Sequence, residues 1–272
     1  MRLMMLTGAG ISTGAGLSTY RGIDGRYTEI ENEAGMPIEA LLSTATLKQD
    51  PGKLWRYWLE FSIALQSATP SRAHQAIAEL ASQCEDFLEV TQNVDGLSLR
   101  AGLTDDKLIE LHGSYHRHFC MECKRPANPW LHEGMSIPPR CYTCKPDEGA
   151  VIRPDVVMFG EMIKNEHYER MIGFAKACDV LVISGTSLQF TYLADIITHA
   201  VAAGAIVLYI DPEASQYKTA FLVCDAELDV PGHITPVRVT ADAALPILAS
   251  LVAIGCDRES LARRLTDALA HP

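Results

Sequence analysis

Short, uninterrupted apolar runs alternate along this chain with longer stretches in which apolar positions recur every three or four residues. "RLMMLT" (2–7), "FLEVTQ" (87–92), "DVLVISG" (179–185), "AIVLYI" (205–210) and "ITPVRVT" (234–240) read as strands. Between them, "HQAIAELAS" (74–82) has helical spacing with Ser71 as its expected N-cap, and "YLADIITHAVAA" (192–203) runs to Gly204, a good residue to end a helix. Amphipathic helices follow the last strand. Strands that are apolar throughout, rather than alternately apolar and polar, are buried on both faces. With helices between them, they predict an α/β fold on a parallel sheet.

Two stretches break this alternation. Residues 31–70 are helical and aromatic-rich ("LWRYWLEF", 54–61) with no strand between, and residues 113–154 are loop-rich, with prolines at 126, 129, 138, 139, 146 and 154. The expected organisation is one sheet domain made of 1–30, 71–112 and 155–272. It carries a helical insert at 31–70 and a second small element at 113–154.

Composition narrows the function. The chain has 272 residues, 48% of them hydrophobic, and a formal net charge of −11. Such a balance disfavours nucleic acid, whose phosphates need a basic stripe, and is compatible with a basic, lysine-rich substrate. The apolar stretch at Leu3–Leu6 ends at Gly8, and the run Ile196–Ile210 is too short for a bilayer. A soluble, cytoplasmic protein without a membrane partner is expected.

Of eight cysteines, Cys84, Cys178, Cys224 and Cys256 stand alone, whereas Cys120/Cys123 and Cys141/Cys144 form two C-x-x-C pairs separated by seventeen residues. That spacing predicts a four-cysteine zinc ribbon at 113–154. Four thiolates fill a tetrahedral shell, so the metal is expected to be structural. His116 and His118 lie close by but are surplus to it, and read as strand residues.

The stretch "LTGAGISTGAGLSTYRG" (6–22) sets glycines directly after a strand, where main-chain N–H groups can meet a phosphate. It also suits a plain strand-to-helix turn. Thr13 stands where the dinucleotide fingerprint G-x-G-x-x-G has its third glycine, and the polar "IDGRYTEIENE" (23–33) replaces the second strand that a dehydrogenase needs. "TQNVDGL" (91–97) places Gln92, Asn93 and Asp95 at a strand's carboxyl end, as either a ligand site or an Asx turn closed by Gly96. His112 in "LHG" is either a base or a structural histidine. "GTSL" (185–188) offers Gly185, Thr186 and Ser187 to a phosphate or ribose, or as a helix cap.

Taken in order, "GAGIST", "TQNVDGL", "LHG", the cysteine quartet, "RPDVVMFGE" (153–161) and "GTSL" resemble the sirtuin family of NAD-dependent protein deacylases, from about Leu3 to Asp211. The resemblance implies a Rossmann-like domain with the zinc ribbon and helical insert packed over it. NAD, consumed as co-substrate, would lie in the cleft between them. Gly8, Ala9, Gly10, Thr13, Thr186 and Ser187, with Gly185, would surround its pyrophosphate, and Gln92 and Asn93 its nicotinamide ribose. Asp95 would face the carboxamide, with Tyr20 and Arg21 in a flap above, and Asp211 and Ala241 toward the adenosine. His112 would be the general base, with Asn93 beside it in the catalytic pair. An acylated lysine on a protein substrate would add as a strand along Val156, Val157, Phe159 and Gly160. The rival outcomes are mono-ADP-ribosyl transfer to protein and a non-catalytic NAD-sensing module.

Departures from the family pattern are Ser18 and Thr19 ahead of Tyr20, Ser98 in place of a frequent His, and Asp211 in place of a frequent Asn. In the insert, Glu60 follows Tyr57 where the desuccinylase branch has Arg, which predicts poor desuccinylation. Arg56-Tyr57-Trp58 is similar to the branch containing the mitochondrial lipoamidase and ADP-ribosyltransferase sirtuins.

Overall fold

The computed structural model describes residues 1–19, 35–215 and 233–271. A six-stranded sheet forms from β1 (Arg2–Thr7), β2 (Asp86–Thr91), β3 (Leu108–Glu110), β8 (Val180–Ser184), β9 (Ile206–Ile210) and β10 (Ile234–Val237). Its order is β3-β2-β1-β8-β9-β10 and every pairing is parallel. From β1 the chain winds outward to one edge, then returns to β8 and winds to the other. The crevice between the carboxyl ends of β1 and β8 is therefore the switch point at which open α/β sheets bind ligands.

Both sheet faces are buried, which is why its strands lack alternation. Leu3 and Met5 of β1 face one core, with the helices Arg72–Gln83, Ala241–Ala253 and Arg258–Ala270. Met4 and Leu6 face the other, with the helices Asn165–Ala175 and Thr191–Ala202. Ser71 caps the helix Arg72–Gln83 through a box with His74. Gly204 takes φ +77° beyond the helix Thr191–Ala202, a left-handed conformation that a side chain would strain.

A second, antiparallel sheet rises over this one, ordered β5-β4-β7-β6, from β4 (Gly113–Cys120), β5 (Pro126–Ala127), β6 (Arg140–Cys141) and β7 (Ala150–Val156). The stretch read as loop-rich thus contains two long strands. Their apolar pattern is masked by exposed His116 and Arg117 and by an irregularity in register between Ser114 and His118. The short β3 was likewise not assigned from sequence.

The helices Ile38–Leu41, Thr44–Gln49 and Pro51–Ser67 form the insert. Trp55 and Trp58 meet edge to face at 5.4 Å in a third apolar cluster with Tyr115 and Met158. The Trp55 indole N–H donates to the Ile152 carbonyl at 2.8 Å, tying the insert to β7. Among the described residues, no helix is long and apolar enough to cross a membrane.

Candidate active site and metal centre

The four ribbon cysteines converge. Their sulfur atoms all lie within 4.8 Å of one another, with Cys120–Cys144 at 3.5 Å and Cys141–Cys144 at 3.8 Å. These spacings are too long for a disulfide and match the roughly 3.8 Å edge of a tetrahedron with ~2.3 Å zinc–sulfur bonds. Main-chain N–H groups of Cys144 and Thr143 bring the Cys141 thiol down to about 7. Burial opposes ionisation of Cys120, but the amides of Cys123 and Glu122 outweigh it and lower its pKa. The donor set fits a structural zinc. Neither nearby histidine joins it: His118 stacks on Trp55 at 6.0 Å, and the His116 Nε2–H donates to the Asp95 carbonyl at 2.8 Å.

At the switch point two loops are locked together. Gly8 N–H donates to the Ser184 carbonyl (3.1 Å) and Gly10 N–H to the Gly185 carbonyl (2.9 Å). A Cβ on Gly10 would fall 2.5 Å from Gly185 Cα, and one on Gly8 would fall 2.7 Å from the Gly185 oxygen. These glycines thus serve first to let loop pack on loop, a role that their spacing in sequence did not reveal. After Gly8 the chain makes a 3-10 turn, Ala9–Ala15, rather than an α-helix. Thr13 is exposed on it, with its hydroxyl donating to the Gly10 carbonyl at 3.0 Å.

Residues after β2 close the rim. Asn93 donates through Nδ2 to the Gly8 carbonyl (3.2 Å) and to Ser12 Oγ (3.1 Å). Ser12 in turn donates to Asp95 Oδ2 at 2.7 Å, while Asp95 Oδ1 accepts from the Leu97 N–H at 2.9 Å. Asn93 and Asp95 are buried, 7% and 6% exposed, so the site and the Asx turn are one structure. Gln92 Nε2 donates to Thr186 Oγ1 at 2.7 Å and bridges to the loop after β8, where Ser187 is exposed. Ser12 was not singled out from sequence, although it sits within "GAGIST".

His112 lies between β3 and β4. Its carbonyl accepts from the Val157 N–H at 2.8 Å, and its Nδ1 lies 3.0 Å from the Gln92 carbonyl. A carbonyl only accepts, so Nδ1 carries the proton and Nε2 the lone pair in the neutral ring. Burial pulls the His112 pKa down to about 4 and keeps the ring neutral at physiological pH. Behind it, Gly113 takes φ +82°, and a Cβ there would fall 2.0 Å from the Asp155 oxygen, so β7 can approach only a glycine.

In "RPDVVMFGE" the two ends hold each other. Arg153, 5% exposed, pairs with Glu161 at 2.7 and 3.0 Å, and Glu161 also accepts from the Met158 N–H at 2.9 Å. Val156 pairs with Gly113 at the end of β7. Phe159 spends its N–H on the Leu42 carbonyl and its own carbonyl on the Thr44 N–H, with Gly160 (φ +91°) beside Thr44. The main-chain N–H groups of Val157, Met158 and Phe159 are thus all taken up within the fold.

Asp211 follows β9; its N–H donates to the Val237 carbonyl, and Oδ1 accepts from the Glu213 N–H. Ala241 is buried at the start of its helix. The next residue, Asp242, reaches across to accept from the Ala73 N–H at 2.7 Å, with Oδ2 only 1.7 Å from where a Cβ on Gly14 would sit. Ser98 is buried next to Glu89. Glu60 and Arg56 are exposed on their helix while Trp55 and Trp58 fill the cluster beneath. Tyr20 and Arg21 lie outside the described residues.

A parallel sheet with this switch point, under a ribbon built on four cysteines, defines an α/β nucleotide-binding protein of the sirtuin type. The Sir2 family profile matches residues 8–191, and the chain belongs to that family. It is 36% identical to NAD-dependent protein deacylase 2 of Pseudomonas aeruginosa, over 78% of this chain and 81% of that one. To the NAD-dependent protein deacylase of Aeropyrum pernix it is 33% identical, over 82% and 84%. Among solved structures, a Sir2 homologue–NAD complex superimposes with a TM-score of 0.71 at 27% identity, covering 98% of this chain and 90% of that one.

Proposed function

We propose that this protein is an NAD-dependent protein-lysine deacylase that releases nicotinamide and O-acyl-ADP-ribose. The observation that carries the reading is His112. Its tautomer is fixed by the Gln92 carbonyl, so that a neutral, basic Nε2 stands on the rim shared with Asn93 and Asp95. Relatives named NAD-dependent protein deacylase, at 33–36% identity, support it.

The rim suits NAD: the close packing of Gly8 and Gly10 on Gly185 holds the two loops side by side, with Ala9, Thr13, Thr186 and Ser187 beside them as candidate polar partners for its phosphates. When bound, NAD would supply a labile glycosidic bond, whose cleavage releases nicotinamide and leaves the ribose carbon electrophilic toward the acyl oxygen. Gln92 and Asn93 would orient the ribose, and Asp95 would face the carboxamide. Asp211 and Ala241 stand toward the adenosine. His112 Nε2 removes the proton from a ribose hydroxyl, making it a nucleophile toward the acyl carbon. Val156, Val157 and Gly160 would line the acyl-lysine main chain, Val157 through its carbonyl since its N–H is held by His112, while Phe159 keeps the segment attached to the insert. Zinc at Cys120, Cys123, Cys141 and Cys144 holds the ribbon. The sheet domain is proposed as 1–30, 71–112 and 155–272, with β7 crossing its boundary, and Cys84, Cys178 and Cys256, free of disulfides, suit a reducing cytoplasm.

Incubating the protein with NAD and a panel of acyl-lysine peptides tests this. One nicotinamide and one O-acyl-ADP-ribose per lysine freed is the expected result. Label from NAD attached stably to protein, without deacylation, would replace the reading by ADP-ribosyl transfer.

A further inference from the structure

One contact on the rim conflicts with the base chemistry. With the Nδ1 proton committed to Gln92, the Nε2 lone pair is the only basic site on His112. Tyr192, in the first turn of the helix Thr191–Ala202, places its hydroxyl on that atom at 2.5 Å. The phenol ring is fixed by a near-parallel stack on Phe190 (5.3 Å, 9°), and Phe190 meets the His112 imidazole edge to face at 5.3 Å. One lone pair takes one proton, so a ribose hydroxyl and the Tyr192 hydroxyl cannot use Nε2 together.

We propose that Tyr192 is a plug on the catalytic base: its hydroxyl caps His112 Nε2 in the substrate-free enzyme, and entry of the cofactor ribose displaces it. Burial raises the Tyr192 pKa above the usual phenol range, so the group that caps His112 is a protonated donor. Tyr192 is a positioning residue acting through His112. It lowers the apparent cofactor affinity by the ratio of capped to open states. A net hydrogen bond makes that ratio roughly two- to tenfold.

The inference rests on His112 as the base. Tyr192→Phe keeps the stack on Phe190 and removes only the hydroxyl. At neutral pH, diethyl pyrocarbonate should modify His112 severalfold faster in Tyr192→Phe than in the wild type, with an unchanged melting temperature. NAD binding followed by calorimetry should tighten roughly two- to tenfold, and kcat/KM should rise through KM. Equal modification rates and equal NAD affinity would overturn the plug. So would a large fall in kcat at constant KM, which would mark the hydroxyl as an obligatory proton carrier. Failure of the deacylase reading shows separately, as no acyl-peptide turnover in either protein, while the modification contrast still reports on the cap.

Discussion

The parallel sheet and the ribbon above it are held by different forces. In the sheet, Leu3, Met4, Met5 and Leu6 of β1 and Val180–Ile183 of β8 are all fully buried. Its stability is spread over many apolar contacts, each worth little alone. In the ribbon, β5 and β6 are two residues long, Trp130 and Tyr142 are 82% and 59% exposed, and beyond the cluster under Trp55 and Tyr115 four sulfur atoms hold the chain together. Damage to the sheet should therefore be graded, and damage to the ribbon nearly all-or-none. His112 sits at the seam, where β3 of one becomes β4 of the other.

The largest expected effect tests the ribbon. Structural zinc is worth on the order of 10 kcal/mol in small domains, and that free energy is folding free energy. Cys141→Ser, or removal of the metal with a chelator, should abolish amide protection across the ribbon strands and lower the melting temperature. Amides of β1 and β8 should stay protected. Hydrogen exchange followed by mass spectrometry checks this, and loss of protection in both regions together would break the distinction drawn above.

His112→Ala addresses the seam. Removing a general base costs about 10²- to 10⁴-fold, or roughly 3–5 kcal/mol of barrier, so kcat should fall by that factor. NAD should bind at least as tightly as to the wild type, since the Tyr192 cap is lost with the imidazole, and the melting temperature should fall slightly as the Gln92 carbonyl loses its partner. A coupled nicotinamide assay beside a thermal melt separates chemistry from folding.

Leu181→Ala probes the sheet. The side chain is fully buried in the core against the helices Asn165–Ala175 and Thr191–Ala202. Truncation should cost about 2–5 kcal/mol, lowering the urea midpoint while zinc content stays at one per chain.

The smallest effect sharpens the picture of the sheet's interior. Glu89 is fully buried, and burial pushes its carboxyl up to about 7, only partly offset by the Thr7 and Ser98 hydroxyls. The native state then holds a proton that the unfolded chain sheds above its ordinary carboxyl value. Stability must fall as pH rises through that window, by up to about 3 kcal/mol. Glu89→Gln should abolish this slope, so the variant gains on the wild type at about pH 8 relative to about pH 5. Paired melts across that range measure it.

Much of the sheet is legible in the sequence because strands buried on both faces are written as unbroken apolar runs, as in "RLMMLT" and "DVLVISG". The cysteine quartet is legible because coordination geometry restricts spacing. Strand β4 is harder to read, since Tyr115 and His118 face inward across a register irregularity that breaks the period of two. The short β3 is too brief to show any period. Tyr192 reads as an ordinary helix residue, and its approach to His112, 80 positions away, exists only after β3 and the helix Thr191–Ala202 have docked on the sheet. The mutual packing of Gly8, Gly10 and Gly185 is tertiary in the same sense: sequence shows that these positions are small, and only the fold shows what they make room for.

The reach of Asp242 to Ala73, over Gly14, has a consequence in time. The Asp242 carboxylate, which packs under Gly14 while it accepts from Ala73, is synthesised 228 residues after Gly14. At synthesis rates of about 5–20 residues per second, this is an interval of roughly ten seconds or more. The nascent chain spends it with β1 and β2 able to pair but the loop still lacking its distant clasp. The packing under the glycine loop is thus completed late, by a helix near the end of the chain, on a loop near its beginning.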